Sequence, residues 1–124
     1  MKKAFFSLAL IAGLSTISFS QTKAVLTNKL SLPTVQCWMC KQKIESYLKR
    51  YDGVISIVVN VKRKEATVKY YTDRTNIEQI KTAIANAGYD AGDITANEDS
   101  YKALPKCCKK PEDGGGKDHP KQEQ

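Results

Sequence analysis

The most constraining feature of this sequence is a change of hydrophobic period, from two residues to that of a helix and back, within residues 26–94. Apolar residues alternate in three segments: Leu26, Leu30 and Leu32; Ile55, Ile57, Val59 and Val61; and Ala66, Val68 and Tyr70. Such alternation is typical of β-strands with one face on a core. Two further segments have the three- and four-residue spacing of amphipathic helices: Cys40, Ile44, Tyr47, Leu48 and Tyr51; and Ile77, Ile80, Ile84 and Ala87.

Local signals mark the ends of these elements. Gly53 follows the first helix and Gly88 follows the second, as glycine often does at a helix C-terminus. Thr75 and Glu78 have the spacing of a capping box, which predicts the start of the second helix. Residues 89–94 form a weaker final strand. The predicted fold class is therefore α+β, a ferredoxin-like βαββαβ sandwich with a four-stranded antiparallel sheet and two helices on one face.

The N-terminal residues predict export. Lys2 and Lys3 precede an apolar run, and small residues stand at the end of this segment. This pattern is typical of a signal peptide, which we assign to residues 1–20 with cleavage after Ser20. We expect a periplasmic or secreted protein, with an uncleaved N-terminal anchor as the alternative. The folded domain is assigned to residues 21–95, a size that does not favour a deep catalytic cleft, and no enzymatic activity is expected.

Residues 96–124 are predicted to form a polar, mostly disordered tail. Residues 109–124 contain no aliphatic or aromatic side chain and so cannot build a core. The tail carries one adjacent pair, Cys107 and Cys108. An accessory metal site, a disulfide within or between chains, and passive thiols are three open interpretations of this pair. His119, the single histidine, is expected to be a solvated tail residue.

Cys37 and Cys40 are the main candidates for chemistry. They stand where the first predicted strand gives way to the first helix, so we expect both sulfurs at one exposed tip of the domain. Unpaired N–H groups and a partial positive charge at a helix N-terminus favour thiolate over thiol. Paired thiolates select soft ions such as Cu(I) and Zn(II) over Mg²⁺ or Ca²⁺. The spacing therefore indicates a site for a soft metal ion.

Other uses of such a cysteine pair fit the neighbouring residues less well. Covalent haem attachment requires histidine directly after the second cysteine, where this chain has Lys41. A zinc ribbon requires a second, equally spaced pair about 15–20 residues later, which the sequence lacks. A disulfide between Cys37 and Cys40 would close too small a loop to stabilise the fold much. A thiol–disulfide redox protein is the main alternative, but the first proline that could flank the pair is Pro105, beyond the predicted domain.

Three landmarks in this element order resemble the heavy-metal-associated domain family. They are Cys37-x-x-Cys40 after the first strand, Gly53-Val54 before the second, and residues 87–91 after the second helix. The family includes copper chaperones, N-terminal modules of metal-pumping ATPases and periplasmic mercury-binding proteins. The resemblance implies a carrier that holds Cu(I), or alternatively Hg(II) or Zn(II), between the two thiolates and passes it on by ligand exchange.

Four residues are candidates for supporting this metal loop. The family usually has Gly-Met where this chain has Thr34-Val35, so the resemblance places Val35 where a methionine packs beneath the loop. Tyr89 aligns with an aromatic residue near the metal, and it either shields the metal or belongs to the core. Trp38 is expected to contact or shield the loop. Met39 either lends a thioether to Cu(I) or helps a partner to dock.

The charge of the chain bears on its partners. It has 20 Lys and Arg against 13 Asp and Glu, a formal net charge of +7. Basic surface suits docking on an acidic partner or an anionic membrane, while the scattered lysines and the lack of an RNA-binding motif argue against nucleic acid. The expected partner is a metal-transporting membrane protein or another metal-binding domain. We expect a monomer, with a metal- or disulfide-linked dimer as the alternative.

Overall fold

A computed structural model describes residues 24–116. Its main elements are β1 (Val25–Ser31), α1 (Trp38–Leu48), β2 (Val54–Asn60), β3 (Glu65–Tyr71) and α2 (Ile77–Asn86). A short helix, α3 (Glu98–Lys102), and two 3-10 turns, Lys106–Cys108 and Pro111–Asp113, follow. The predicted signal peptide and His119 lie outside the described residues. Within residues 24–116, no helix has the length and apolar content needed to cross a bilayer.

The three strands form an antiparallel sheet in the order β1-β3-β2. One face of the sheet is buried, and its side chains include Leu30, Ile57, Val59, Ala66 and Val68. Ile55 departs from the predicted alternation: the β2–β3 register shifts between Val54 and Ser56, and Ile55 is exposed. A residue added in such an irregularity no longer follows the two-residue period of the strand.

The predicted fourth strand is not formed in the described part of the chain. Residues 89–94 instead make a tight turn in which Ala91 and Ile94 pair with each other across Gly92, whose φ is +59°. Gly92 N–H still donates to the Ser31 carbonyl at the end of β1, at 2.8 Å. Because this segment pairs mainly with itself, it does not continue along β1, and the α+β sheet has three strands.

Both main helices pack into one core with the buried face of the sheet. α1 contributes Cys40, Ile44 and Leu48, and α2 contributes Ile80 and Ile84. This arrangement confirms the two predicted helices and the first three predicted strands. It places the N-terminus of α1 at the edge of the core, directly after the loop that leaves β1.

The predicted cap of α2 is wrong by one residue. Asn76, and not Thr75, is the N-cap: its side-chain oxygen accepts a hydrogen bond from Gln79 N–H at 2.9 Å. Thr75 donates instead from its hydroxyl to the Gln79 side chain at 3.1 Å. Asparagine is a strong N-cap residue, and the helix therefore begins one residue later than the predicted capping box implies.

Residues 96–116, here called the C-terminal extension, correct the expectation of a disordered tail. Asn97 caps α3 by accepting a hydrogen bond from Ser100 N–H at 3.0 Å, and Leu104 and Cys108 are buried in the core. The extension packs against backbone at Gly88, where an added Cβ would lie 2.9 Å from the Ser100 carbonyl oxygen. The folded unit therefore continues past the predicted boundary at residue 95.

Candidate metal centre

The start of α1 positions the two cysteines of the metal loop. Cys37 is the N-cap residue with an extended backbone, and its side chain caps no N–H of the helix. Cys40 follows within the first turn, and the Sγ atoms of the two residues lie 3.3 Å apart. Residues three apart lie on one side of a helix, which explains the convergence. The structure thus brings the two predicted thiols together.

Burial of the pair differs from the sequence expectation. Cys40 is fully buried and Cys37 is partly buried, so the sulfurs do not stand at an exposed tip. The turn Lys106–Cys108 of the extension packs against the start of α1 and carries the buried Cys108 side chain there. The site is therefore formed by two distant parts of the chain.

A third sulfur completes a compact group. Cys108 Sγ lies 3.8 Å from Cys37 Sγ, and the Sγ atoms of Cys37, Cys40 and Cys108 all lie within 4.8 Å of one another. Cys107 Sγ is 3.9 Å from Cys108 Sγ and 3.7 Å from Met39 Sδ. All four cysteines are free thiols in this structure. We call Cys37, Cys40 and Cys108 the sulfur trio.

The three thiols of the trio have different pKa values. A hydrogen bond from Cys108 lowers the pKa of Cys40 to about 5, whereas burial raises the pKa of Cys37 to about 11. The pKa of Cys108 is raised, chiefly by its hydrogen bond to Cys40. The lowered pKa of Cys40 favours thiolate at this position, whereas the raised pKa values of Cys37 and Cys108 favour thiol. Further thiols must lose their protons when they bind a metal ion, so binding releases protons.

The backbone beneath the pair is held by two side chains. The Lys64 ammonium donates to the Val35 carbonyl at 2.9 Å, and the Thr34 hydroxyl accepts a hydrogen bond from Asp90 N–H at 3.0 Å. Val35 itself is fully buried in the core. Lys64 was not identified from the sequence, because a lysine in a hairpin turn carries no local signal of a bond to a loop 29 residues away.

Tyr89 lies in the core and next to the trio. Its side chain is fully buried, and its hydroxyl has no hydrogen-bond partner among residues 24–116. Burial raises the pKa of Tyr89, and proximity to Cys108 and Cys40 adds to this effect. A buried hydroxyl without a partner costs free energy. An anionic acceptor in the trio would remove that cost.

Trp38 and Met39 lie on the outer side of the site. Trp38 is 48% exposed and Met39 is 39% exposed, so neither forms a closed cover over the sulfurs. The Met39 thioether contacts Cys107. These two exposed residues stand between Cys37 and Cys40 in the chain, and Cys37 is the partly exposed member of the pair.

Comparison with known proteins identifies the domain. The family model described as "Heavy-metal-associated domain" matches residues 29–90, which is half of the chain. The chain belongs to the heavy-metal-associated domain family. The matched range contains Cys37, Cys40 and Tyr89, whereas Cys107 and Cys108 lie beyond its end. The third sulfur of the trio thus comes from outside the matched domain.

The names of individual similar proteins refer to copper or to mercury. The chain is 36% identical over 76 residues to a copper-exporting P-type ATPase of Staphylococcus aureus; the match covers 61% of this chain and about a tenth of the length of that relative. The structure is similar to the CopZ metallochaperone, with 33% identity and a TM-score of 0.51, covering 53% of this chain and 98% of the other. It is also similar to mercury-bound MerP, the periplasmic protein of a bacterial mercury detoxification system, with 26% identity, a TM-score of 0.50 and coverages of 56% and 96%.

Proposed function

We propose that this protein is an exported carrier of soft metal ions that holds Cu(I) through Cys37 and Cys40 and passes it on by ligand exchange. The observation that carries the proposal is the 3.3 Å approach of two free thiols at the start of α1, in a chain of the heavy-metal-associated domain family. The similarities to a copper-exporting ATPase and to a metallochaperone support a role in metal transfer.

Cu(I) suits the site better than Zn(II) for a reason of coordination. Structural zinc sites are closed by four ligands in a tetrahedron, and zinc binds nitrogen as well as sulfur. The trio offers sulfur alone, and too few sulfurs for a tetrahedron. Thiolates select Cu(I) and similar soft ions. Hg(II) shares this chemistry, and the similarity to mercury-bound MerP makes it the second candidate.

Transfer requires access for a thiolate of the partner. Cys37 is the only partly exposed member of the trio, and the two residues that follow it in the chain, Trp38 and Met39, are exposed. A partner thiolate would form a new metal–sulfur bond there before one of the existing bonds breaks, so the ion is never released to solvent. We propose a metal-transporting membrane protein or another metal-binding domain as the partner. The leader-like residues 1–20 support export to the periplasm or the medium.

Metal competition tests this proposal. Reduced protein, handled without oxygen, is expected to take one Cu(I) from a competing chelator and to keep it during buffer exchange. Zn(II) should be lost to a chelator of moderate strength, because the site lacks a fourth ligand. Elemental analysis of both forms gives the stoichiometry. Retention of Zn(II) together with loss of Cu(I) to the chelator would contradict the choice of ion.

The redox alternative requires its own control in the same preparation. A carrier should reduce insulin disulfides no faster than a simple dithiol does. A thioredoxin-like redox site needs a proline beside its cysteine pair, and the first proline after Cys40 is Pro105. A rate close to that of a thioredoxin would instead favour a thiol–disulfide redox protein.

A further inference from the structure

The positions of the three sulfurs fit three-coordinate binding. With metal–sulfur bonds of about 2.3 Å, three sulfurs in a plane around one ion lie about 4 Å apart, whereas two sulfurs on opposite sides lie about 4.6 Å apart. The Cys37–Cys40 and Cys37–Cys108 separations are 3.3 and 3.8 Å, and all three sulfurs lie within 4.8 Å. A trigonal ion therefore requires a smaller opening of the Cys37–Cys40 pair than a linear one does.

The extension holds Cys108 in place through contacts on both sides of it. Before Cys108, Leu104 is buried over Gly88. After it, Lys110 N–H donates to the Tyr101 hydroxyl at 2.9 Å, and that hydroxyl donates to Asp113. The Lys110 ammonium also lies 3.8 Å from the Asp90 carboxylate. Cys108 is thus fixed by local structure and is not a thiol on a loose arm.

Cys107, by contrast, lies beside the trio but outside it: its sulfur is 3.9 Å from Cys108 Sγ and does not belong to the compact group of three. It is partly exposed, and its sulfur contacts Met39 on the outer side. Adjacent residues in a turn point in different directions, so the side chains of Cys107 and Cys108 have different neighbours. This division makes Cys107 a matched control for Cys108.

Tyr89 provides an independent indication of an anionic centre. Its fully buried hydroxyl lies near the thiols of Cys108 and Cys40 but makes no hydrogen bond of normal geometry among the described residues. Metal-bound thiolates are hydrogen-bond acceptors, and groups around a metal site commonly donate to its ligands. Loading the trio would supply the acceptor that this hydroxyl lacks.

We propose that Cys108 is a third ligand, so that the C-terminal extension converts an open two-sulfur loop into an enclosed three-sulfur site. The inference rests on the proposed function, since it adds a ligand to the same ion. Binding through Cys108 replaces its S–H bond by a metal–sulfur bond and releases the proton to solvent. A partner must then displace Cys108 before it can take the ion.

X-ray absorption at the copper edge counts the sulfur ligands directly. The Cu(I)-loaded, reduced full chain is expected to show three sulfurs, as is Cys107→Ser, whereas Cys108→Ser should show two. Size-exclusion chromatography of each loaded sample should give a monomer, because a second chain could otherwise donate the third sulfur. Circular dichroism of each variant checks that the domain is folded.

If Cys108→Ser fails to fold, the sulfur counts of the wild type and of Cys107→Ser together still test the inference. Two sulfurs in the wild type would overturn the third ligand and leave the Cys37–Cys40 carrier intact. Three sulfurs that persist in Cys108→Ser, or that occur only in a dimer, would also overturn it. Copper bound without sulfur would contradict the proposed function itself, so the two failures are distinguishable.

Discussion

Replacing both cysteines of the metal loop, in a Cys37→Ser, Cys40→Ser double variant, should weaken Cu(I) binding by about 10,000-fold. Four-ligand zinc sites bind with roughly 10–16 kcal/mol, on the order of 3 kcal/mol per ligand, and each 1.4 kcal/mol is a factor of ten. Serine hydroxyls stay protonated and are hard ligands, so they do not replace thiolates for a soft ion. Competition against a Cu(I) chelator of known affinity, without oxygen, measures the loss.

The matched control for this variant is Cys107→Ser. It removes one thiol close to the site but outside the trio, so its Cu(I) affinity should stay within a few-fold of the wild type. Because Cys40 is fully buried, folding of the double variant must be checked by circular dichroism before its affinity is interpreted. Tight Cu(I) binding by a folded double variant would refute the assignment of Cys37 and Cys40.

Truncating one side chain of the extension should destabilise the whole domain. Leu104 is 4% exposed and packs over Gly88. Leu104→Ala is expected to lower the free energy of unfolding by about 2–3 kcal/mol, because it removes buried methyl groups and leaves a cavity. Denaturant unfolding of the reduced, metal-free protein measures this change.

Lys102→Ala provides the comparison for that experiment. Lys102 lies in α3 of the same extension, but its side chain is 64% exposed and forms a surface ion pair with Glu98. Such pairs contribute little, so this variant should cost less than about 0.5 kcal/mol. Equal, small effects of both substitutions would mean that the extension does not pack on the domain.

The elements that could be predicted are those with repeated local signals. α1, α2 and the three strands each carry several apolar residues at one period, and the structure forms all five. The prediction of a fourth strand was wrong because Gly92 allows a tight turn in which Ala91 pairs with Ile94. Nothing in so short a segment distinguishes that turn from a short edge strand.

The extension could not be predicted because its stabilising contacts are not local. α3 has five residues, too few to show a helical period, and it buries none of them. Leu104, just after α3, packs over Gly88, which has no side chain and lies 16 positions earlier in the chain. Composition pointed to a solvated tail because residues 109–124 are polar, but the residues just before them supply the buried groups.

The same distinction applies to the metal centre. Cys37 and Cys40 were identifiable because their spacing and their place at the start of a helix are both visible in the sequence. The position of Cys108 beside them depends on a contact across 71 residues, and so does the burial of the site. Sequence reasoning left several roles open for Cys107 and Cys108. The structure places Cys108 in the trio and Cys107 outside it.

A crystal structure of the Cu(I)-loaded protein, with an anomalous map recorded at the copper edge, tests the central claim most directly. The expected result is one copper peak per chain within bonding distance of Cys37 Sγ and Cys40 Sγ. A peak bound elsewhere, such as between Cys107 and Met39 or at His119, with neither Cys37 nor Cys40 as a ligand, would contradict it.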